Sequence, residues 1–508
     1  MQLRGSGRSR SMDSAPQAGS GTGLILAALA GCAFMIAWLA IQKGTWIDEY
    51  WSVWKTDPAL PFAEAILRRS LPDVGHPPLF DVIHWTLAPV TGASILVRRF
   101  VNALFLAVLL VPTFLMMRAR FAPNAYRMIV LLAVLASPLV VAKFAEHRAY
   151  FANACAMLAL ILTTREIFLR ALTRERLGVP LLGWFVVVAF AATNLDYTNA
   201  LIALPLLAAA AFFLIPVRAS LAAFVGVTAV VCLLVLAVQL WLATQVGFVQ
   251  PSSQVPLLRG IAALMVVVAS GSIVVIPLLP AAVANARLGM AKAGPSVVEA
   301  RRRFAFVLAL AFVASCAALV LVQIVSRALL ARHAVPAIPL GASLIVELAT
   351  IASLSRLALT GLCLFALGST AAITLVKSRD AGWESFAPVI SRTFGACPST
   401  EIVAVDGLLL VDRSATWPYV GMPEAIDASF KGVARKWGFP VTMARSRAAI
   451  EVAGRCPTII WLEHNFSRPQ ATAREIADAA GVLVDDARLK AAERVDGRTR
   501  TLLVIPGR

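Results

Sequence analysis

Phe34-Met35-Ile36-Ala37-Trp38-Leu39 lies inside an apolar run from residue 22 to 42, and Trp46-Ile47-Asp48-Glu49-Tyr50-Trp51 follows it closely. The run includes Leu29-Ala30-Gly31-Cys32, which looks like a lipoprotein cleavage box, yet the sequence stays apolar beyond the cysteine. A removable signal turns polar there, so the segment reads as a membrane anchor. The two carboxylates after it sit among aromatic residues of the kind that collect at the membrane–water boundary. A carboxylate at that depth costs free energy unless it is solvated, paired or used in chemistry. This pair is positioned to meet a water-side molecule and a lipid-borne one together.

The rest of the chain repeats the apolar pattern. Of its 508 residues, 59% are hydrophobic and 15% charged, with a mean hydropathy of +0.79. Apolar runs of about 20 residues are what a hydrocarbon layer of about 30 Å demands. Spans are expected near 22–42, 99–117, 127–143, 149–169, 180–194, 199–216, 220–243, 261–283, 304–325, 334–353 and 357–376. Residues 79–91 are apolar but too short to cross, so they read as a re-entrant or interfacial helix. Residues 1–21, rich in Arg, Ser and Gly, are expected to form a disordered cytoplasmic tail.

A net charge of +18 invites a nucleic-acid reading, but its distribution argues against one. The cations fall in short clusters between apolar segments, where Lys and Arg set membrane orientation. With 79–91 counted as non-crossing and the N-terminus inside, the clusters at Arg4/Arg8/Arg10, Arg118/Arg120/Arg127, Arg165/Arg170/Arg174/Arg176, Arg218 and Arg287/Lys292/Arg301/Arg302/Arg303 share one side. The opposite face then gathers Asp48, Glu49, His76, Glu146, His147, Arg148, Asn194, Asp196, Tyr197, Arg332 and His333. Polar residues concentrated at span ends on one face mark a site, with salt bridging between spans as the competing explanation.

Beyond residue 378 the composition turns mixed. Strand-like runs at 401–411, 457–463 and 501–505 alternate with amphipathic stretches near 383–395, 423–436 and 470–480. The expected fold class is therefore an α-helical polytopic membrane protein of about 11 spans plus interfacial helices. It ends in a small α/β domain over 379–508 on the extracytoplasmic side, after a membrane domain over 22–378. Five of the seven cysteines lie in apolar spans and read as packing residues. Cys397 and Cys456 each precede a predicted strand, so a disulfide forms if those strands are neighbours. No Cys/His spacing resembles a zinc site, and no cofactor is implied, a divalent metal being left open.

Several stretches carry a family resemblance. The Asp48-Glu49 pair, the segment HPPLFDVIHW from His76 and Arg99 in RRFVNALF resemble the N-terminal third of the C-type membrane glycosyltransferases. Protein O-mannosyltransferases, lipid A aminoarabinose transferases and rhizobial lipopolysaccharide sugar transferases are the members most alike. AEHRAYFANA is similar to that family's Glu-x-Arg-x-Tyr at the outer end of a span, giving Glu146, Arg148 and Tyr150. NLDYTNA has Asp196-Tyr197 where the family often has His-Tyr, and ARHAVPAIP has Arg332-His333 where it often has Arg-Tyr. The resemblance covers roughly residues 22–380. It implies a polyprenyl-phosphate-linked sugar donor, a glycan, lipid or protein acceptor, and an active site on the periplasmic face of a bacterial inner membrane.

Elementary chemistry agrees with that implication. A polyprenyl phosphate leaves already ionised, so transfer needs a base for the acceptor hydroxyl and cations for the leaving phosphate. Asp48 suits the base, and its proton affinity would rise through partial burial beside Glu49. Glu49 is the second candidate for catalysis, or else orients the acceptor or pairs with an arginine. Arg148 and Arg332 suit the phosphate, with Arg99 and Lys43 behind them. His76, Glu146, Tyr150, Asp196, Tyr197 and His333 complete the expected binding residues. A transporter or flippase is the rival class, but its site belongs near the bilayer midplane. A ligand-binding receptor would leave the acidic loop without a purpose.

Overall fold

The computed structural model describes residues 19–71, 76–245, 257–271, 273–287, 297–326, 329, 331–351, 354–380, 382–406, 422–444, 450–451, 454–463, 471–497 and 500–507. The membrane body holds α1 (Gly19–Gln42), α2 (Ile47–Lys55), α3 (Leu79–Thr91), α4 (Ile95–Met116), α5 (Asn124–Leu135), α6 (Pro138–Phe144) and α7 (Ala149–Leu172). It continues through α8 (Val179–Asn194), α9 (Ala200–Leu214), α10 (Ala219–Gln245), α11 (Leu257–Gly271), α12 (Leu279–Arg287), α13 (Val297–Ser326), α14 (Ala337–Ala349) and α15 (Arg356–Ser378). Residues 1–18 of the expected tail lie outside the described residues, and 19–21 open α1.

Every expected span contains helix, but the spans are not alike. Six described helices are long and apolar enough to cross a membrane, or seven if α5 and α6, bent by 76°, are one broken span. That is fewer than the eleven expected, for three physical reasons. The α8 and α14 helices have only 16 and 13 residues. The stretch read as one span at 261–283 is interrupted by a 3-10 turn at Ile273–Leu278 containing Pro277. The third reason is α7, which has 24 residues but carries Asn153, Thr163, Thr164, Arg165, Glu166 and Arg170, all buried. It touches α4, α6, α8, α9, α13 and α14, so its polar groups face protein and need not face lipid. Residues 79–91 form α3 with 13 residues, about 20 Å long, too short for a crossing.

The C-terminal region builds α16 (Ala387–Ala396), β1 (Glu401–Asp406), α17 (Met422–Trp437), β2 (Thr442–Met443), β3 (Ile450–Glu451) and β4 (Thr458–Glu463). It ends with α18 (Ala473–Ala479), β5 (Val482–Leu483), α19 (Asp486–Ala491), β6 (Glu493–Asp496) and β7 (Arg500–Ile505). Five strands form one sheet in the order β2-β1-β4-β7-β6, with β1 parallel to β2 and β4, and β7 antiparallel to β4 and β6. All six residues of β4 are buried, as a central strand covered on both faces requires. Ile459, Trp461 and Leu502 pack to one side, and Ile460, Leu462 and Leu503 to the other, the period-two alternation of a strand.

Glu401 of β1 is the register partner of Thr458 of β4. The neighbouring strands bring the residues just before them together, and Cys397 and Cys456 form a disulfide with Cα atoms 5.7 Å apart. The first face of the sheet does not close on its own helices alone. Tyr50 belongs to the same core as Trp383, Phe430 and Trp461, with Trp51 and Ile95 packed against it. The α2 helix is thus shared between the membrane body and the sheet.

Candidate active site

Three consecutive residues of α2 point three ways, because neighbours on an α-helix are about 100° apart. Asp48 turns toward a polar cluster. Its Oδ2 is 3.3 Å from Arg332 Nη1 and 3.9 Å from Arg148 Nη2, and Arg148 Nη1 reaches its main-chain oxygen at 3.4 Å. Glu49 turns into the membrane body and is fully buried. Arg99 grips it with Nε and Nη2 at 2.8 and 2.7 Å, while the N–H groups of Trp46 and His147 donate to it at 3.0 and 2.8 Å. Tyr50 turns into the core of the C-terminal sheet, its hydroxyl 3.4 Å from Glu384 Oε1.

A second layer lies behind the arginines. Arg148 Nη2 is 3.2 Å from His76 Nε2. A guanidinium only donates, so Nε2 accepts and the His76 proton sits on Nδ1. That nitrogen is 3.1 Å from Asp196 Oδ2, in contact though off the line of a good hydrogen bond. Asp196 caps a 3-10 turn at Tyr197–Asn199, accepting from the Thr198 N–H and hydroxyl at 2.9 and 2.7 Å. Burial raises the Asp196 carboxyl, but His76, His333 and the Thr198 N–H outweigh it and hold it down to about 2. Burial also pushes the His333 ring down to about 4, against the pull of Asp196.

Tyr150 stands at the centre of the cluster. Its ring is edge-on to His76 at 5.4 Å and tilted against His333 at 6.4 Å. Arg332 and Lys143 approach the ring centre at 5.7 and 5.0 Å, within reach of the negative face of the π system. The side chain is buried, and its hydroxyl has no hydrogen-bond partner among the described residues. Such an orphan costs about 1–3 kcal/mol unless something else bonds it.

A fold of this kind occurs in a solved protein. The chain is similar to ArnT from Cupriavidus metallidurans, in its apo state, with 14% identity and a TM-score of 0.54 over 95% of this chain and 98% of that one. ArnT is an aminoarabinose transferase of the C-type glycosyltransferase superfamily. This chain shares the fold of ArnT. No family model matches the sequence, and no curated protein matches it. At 14% identity the likeness gives the architecture of this integral membrane protein alone.

Seven of the eleven residues expected at the site meet in the cluster just described: Asp48, His76, Arg148, Tyr150, Asp196, Arg332 and His333; Tyr197 opens the turn that Asp196 caps. Glu49 and Arg99 stand apart as a buried pair, with Arg99 also donating to the carbonyls of Ala40, Lys43 and Gly44. The like charge expected beside Asp48 is therefore already neutralised. Glu146 is held between Lys43 and Lys143 at 2.6 and 2.7 Å. Burial raises its carboxyl, but the two lysines prevail and keep it below the usual range. Lys43, a second-choice phosphate cation by sequence, is paired with Glu146 and buried.

Lys143, Asn153 and Thr198 were not expected at the site. Lys143 closes an apolar run and reads there as a span-end anchor, while Asn153 sits four residues after Ala149 on α7 and donates to Asp196 at 3.4 Å. The signal that could have found Asn153 is helical spacing, since Tyr150 and Asn153 are three apart and share a face. Among the described residues, no group of three or more His, Cys, Asp or Glu side chains is arranged to hold a metal ion.

Proposed function

We propose that the protein transfers a sugar from a polyprenyl-phosphate carrier to an acceptor hydroxyl at the outer face of a bacterial inner membrane, modifying a cell-envelope glycan or lipopolysaccharide. One observation carries the reading. Asp48, a half-exposed carboxylate, shares two guanidinium groups from α7 and the turn before α14 at 3.3 and 3.9 Å. These contacts are longer than the buried pairs nearby, so an arriving phosphate can take the arginines over without breaking a tight bridge.

The roles follow from the geometry. Asp48 accepts the proton of the acceptor hydroxyl as its oxygen bonds to the anomeric carbon. The bond from that carbon to the phosphate oxygen breaks, and the polyprenyl phosphate leaves with the electron pair. Arg148 and Arg332 hold the phosphate charge that remains. Asp196 fixes His76, and His76 fixes the Arg148 fork. The Tyr150 hydroxyl offers a donor to the sugar or the phosphate. Glu49, Arg99 and Glu146 position the loop and take no part in proton transfer.

The test is transfer by the purified protein from a panel of polyprenyl-phosphate sugars, with hexose and pentose donors compared. A covalent glycosylated product supports the reading. Movement of lipid-linked sugar across vesicles without any product would make the protein a flippase. Orientation is tested by impermeant thiol labelling. Asp57→Cys and Leu483→Cys should label from outside and Arg176→Cys should not, and labelling of the last would invert the topology.

A further inference from the structure

The membrane body and the C-terminal sheet meet around the loop that carries Asp48. Two main-chain bonds stitch the loop to the start of the C-terminal region: Gly44 N–H to the Asp380 carbonyl at 3.0 Å, and Trp383 N–H to the Thr45 carbonyl at 2.6 Å. Gly382 sits between them with φ of +55°, and a Cβ there would collide with the Thr45 carbonyl. Only glycine allows that approach.

Two residues beyond Asp48, Tyr50 is held from above. Glu384 collects the Tyr50 hydroxyl at 3.4 Å, Lys436 Nζ at 2.7 Å and Trp437 Nε1 at 3.2 Å. The Tyr50 ring lies against α17 at Gly432, where a Cβ would stand 2.7 Å from Tyr50 Cε1 and 2.9 Å from Cδ1. The ring is buried and pinned at its hydroxyl, so it has little room to give way. Glu49, the residue before Tyr50, meanwhile fixes the same turn from the membrane body through Arg99. A helix of nine residues is thus gripped on two faces, and its third face presents Asp48 to arginines that belong to the membrane body.

We propose that the C-terminal region is a positioning clamp for Asp48, acting through Gly432, Tyr50 and Glu384, and setting the distance of the carboxylate from the acceptor. The proposal rests on the functional reading above. None of the three residues touches substrate. Displacing a catalytic group by about 1 Å can cost up to about 100-fold in rate. The donor phosphate is bound by Arg148 and Arg332, which the clamp does not hold, so donor KM should be indifferent to it.

The experiment is a kinetic double-mutant cycle on full-length protein, with rates taken per folded molecule after size exclusion. Gly432→Ala should lower kcat by about 10-fold or more with donor KM unchanged. Placed on Asp48→Asn, the same substitution should lower the residual rate by less than about twofold, because no base remains to be misplaced. Tyr50→Phe, which keeps the ring and removes the hydroxyl that bonds Glu384 and Thr45, should repeat the pattern at about threefold and decides the matter if Gly432→Ala does not fold. Equal losses on both backgrounds, or a normal kcat in the folded variants, would overturn the clamp and leave the transferase reading intact. A wild type that transfers no sugar from any donor would overturn that reading, and the clamp with it.

Discussion

At one end of α7, Glu347 receives Arg165 through Nε and Nη2 at 2.6 and 3.0 Å and Arg301 through Nε at 2.6 Å. About 25 Å away along the same helix, Asp48 meets Arg332 and Arg148 at 3.3 and 3.9 Å. Both clusters join one carboxylate to two arginines. The Glu347 and Arg165 side chains have no exposure, and Arg301 spends its other donors on Thr350 and the Glu347 carbonyl. The Asp48 side chain keeps 34% of its surface and Arg332 36%. Tight and dry describes a strut. Longer contacts and water access describe a site with room for a ligand. Charge composition alone would have rated the two clusters equal.

Removing Glu347 should test that contrast most severely. Glu347→Ala leaves two arginines inside the protein without their partner, and breaking a buried pair costs about 3–5 kcal/mol. Temperature-ramped size exclusion should show the loss of folded protein. A variant that stays stable but loses transfer would give the Glu347 cluster a catalytic part and erase the distinction.

Asp48→Asn should do the reverse. It keeps size and hydrogen bonding but cannot accept a proton, so transfer should fall by at least about 100-fold while thermal stability holds. Near-normal turnover in the folded variant removes Asp48 from the role of base.

Arg148→Ala and Arg332→Ala should each weaken donor binding by about 1.5–3 kcal/mol, the range for hydrogen bonds to charged groups. Lysine should rescue only in part, since the fork is lost. Donor titration into protein in nanodiscs reads this directly, and unchanged affinity in both alanine variants refutes the phosphate assignment.

The smallest effect concerns acid. His84 and His147 pack edge to face at 4.3 Å beneath the Asp48 cluster, both buried. Burial pushes His84 down to about 3 and His147 well below its ordinary value. Both are neutral in the folded protein, whereas the unfolded chain takes up protons below about pH 6.5. Stability is therefore full above that pH and falls as the pH drops toward the folded values. None of the described histidines lies at the Glu347 end. Thermal midpoints measured from pH 7.5 to 4.5 should decline, and His84→Phe should flatten the decline. An identical slope in that variant would show that the Asp48 end is not the acid-sensitive one.

How much of this could be read from the sequence depends on the kind of force involved. Residues 79–91 were legible as a short helix because length against bilayer thickness is a one-dimensional quantity. The strands before which Cys397 and Cys456 lie were legible for a similar reason, since apolar runs and turn residues are local. Asp48, Arg148 and Arg332 could be singled out because charge at a span end is rare. Partner choice was not legible. Glu49 and Asp48 are adjacent in sequence, and only the 100° step of the helix, together with where Arg99 stands, separates a buried brace from an exposed carboxylate. The partners of the polar residues of α7 were not legible either: hydropathy scores a helix against lipid, and this one packs against six other helices.

That enclosure bears on how the chain is made. A helix carrying Arg165, Glu166 and Asn153 gains little from lipid by itself, as one central arginine costs about 2.5–3.5 kcal/mol on insertion. Its neighbours α8, α9, α13 and α14 come later in the chain, so α7 must wait at the insertion machinery or beside α4 until they arrive. Nascent chains stopped after residue 178 should therefore leave α7 extractable or unthreaded, and chains stopped after residue 350 should hold it across the bilayer. The helix at the middle of the finished protein would then be among the last to settle in the membrane.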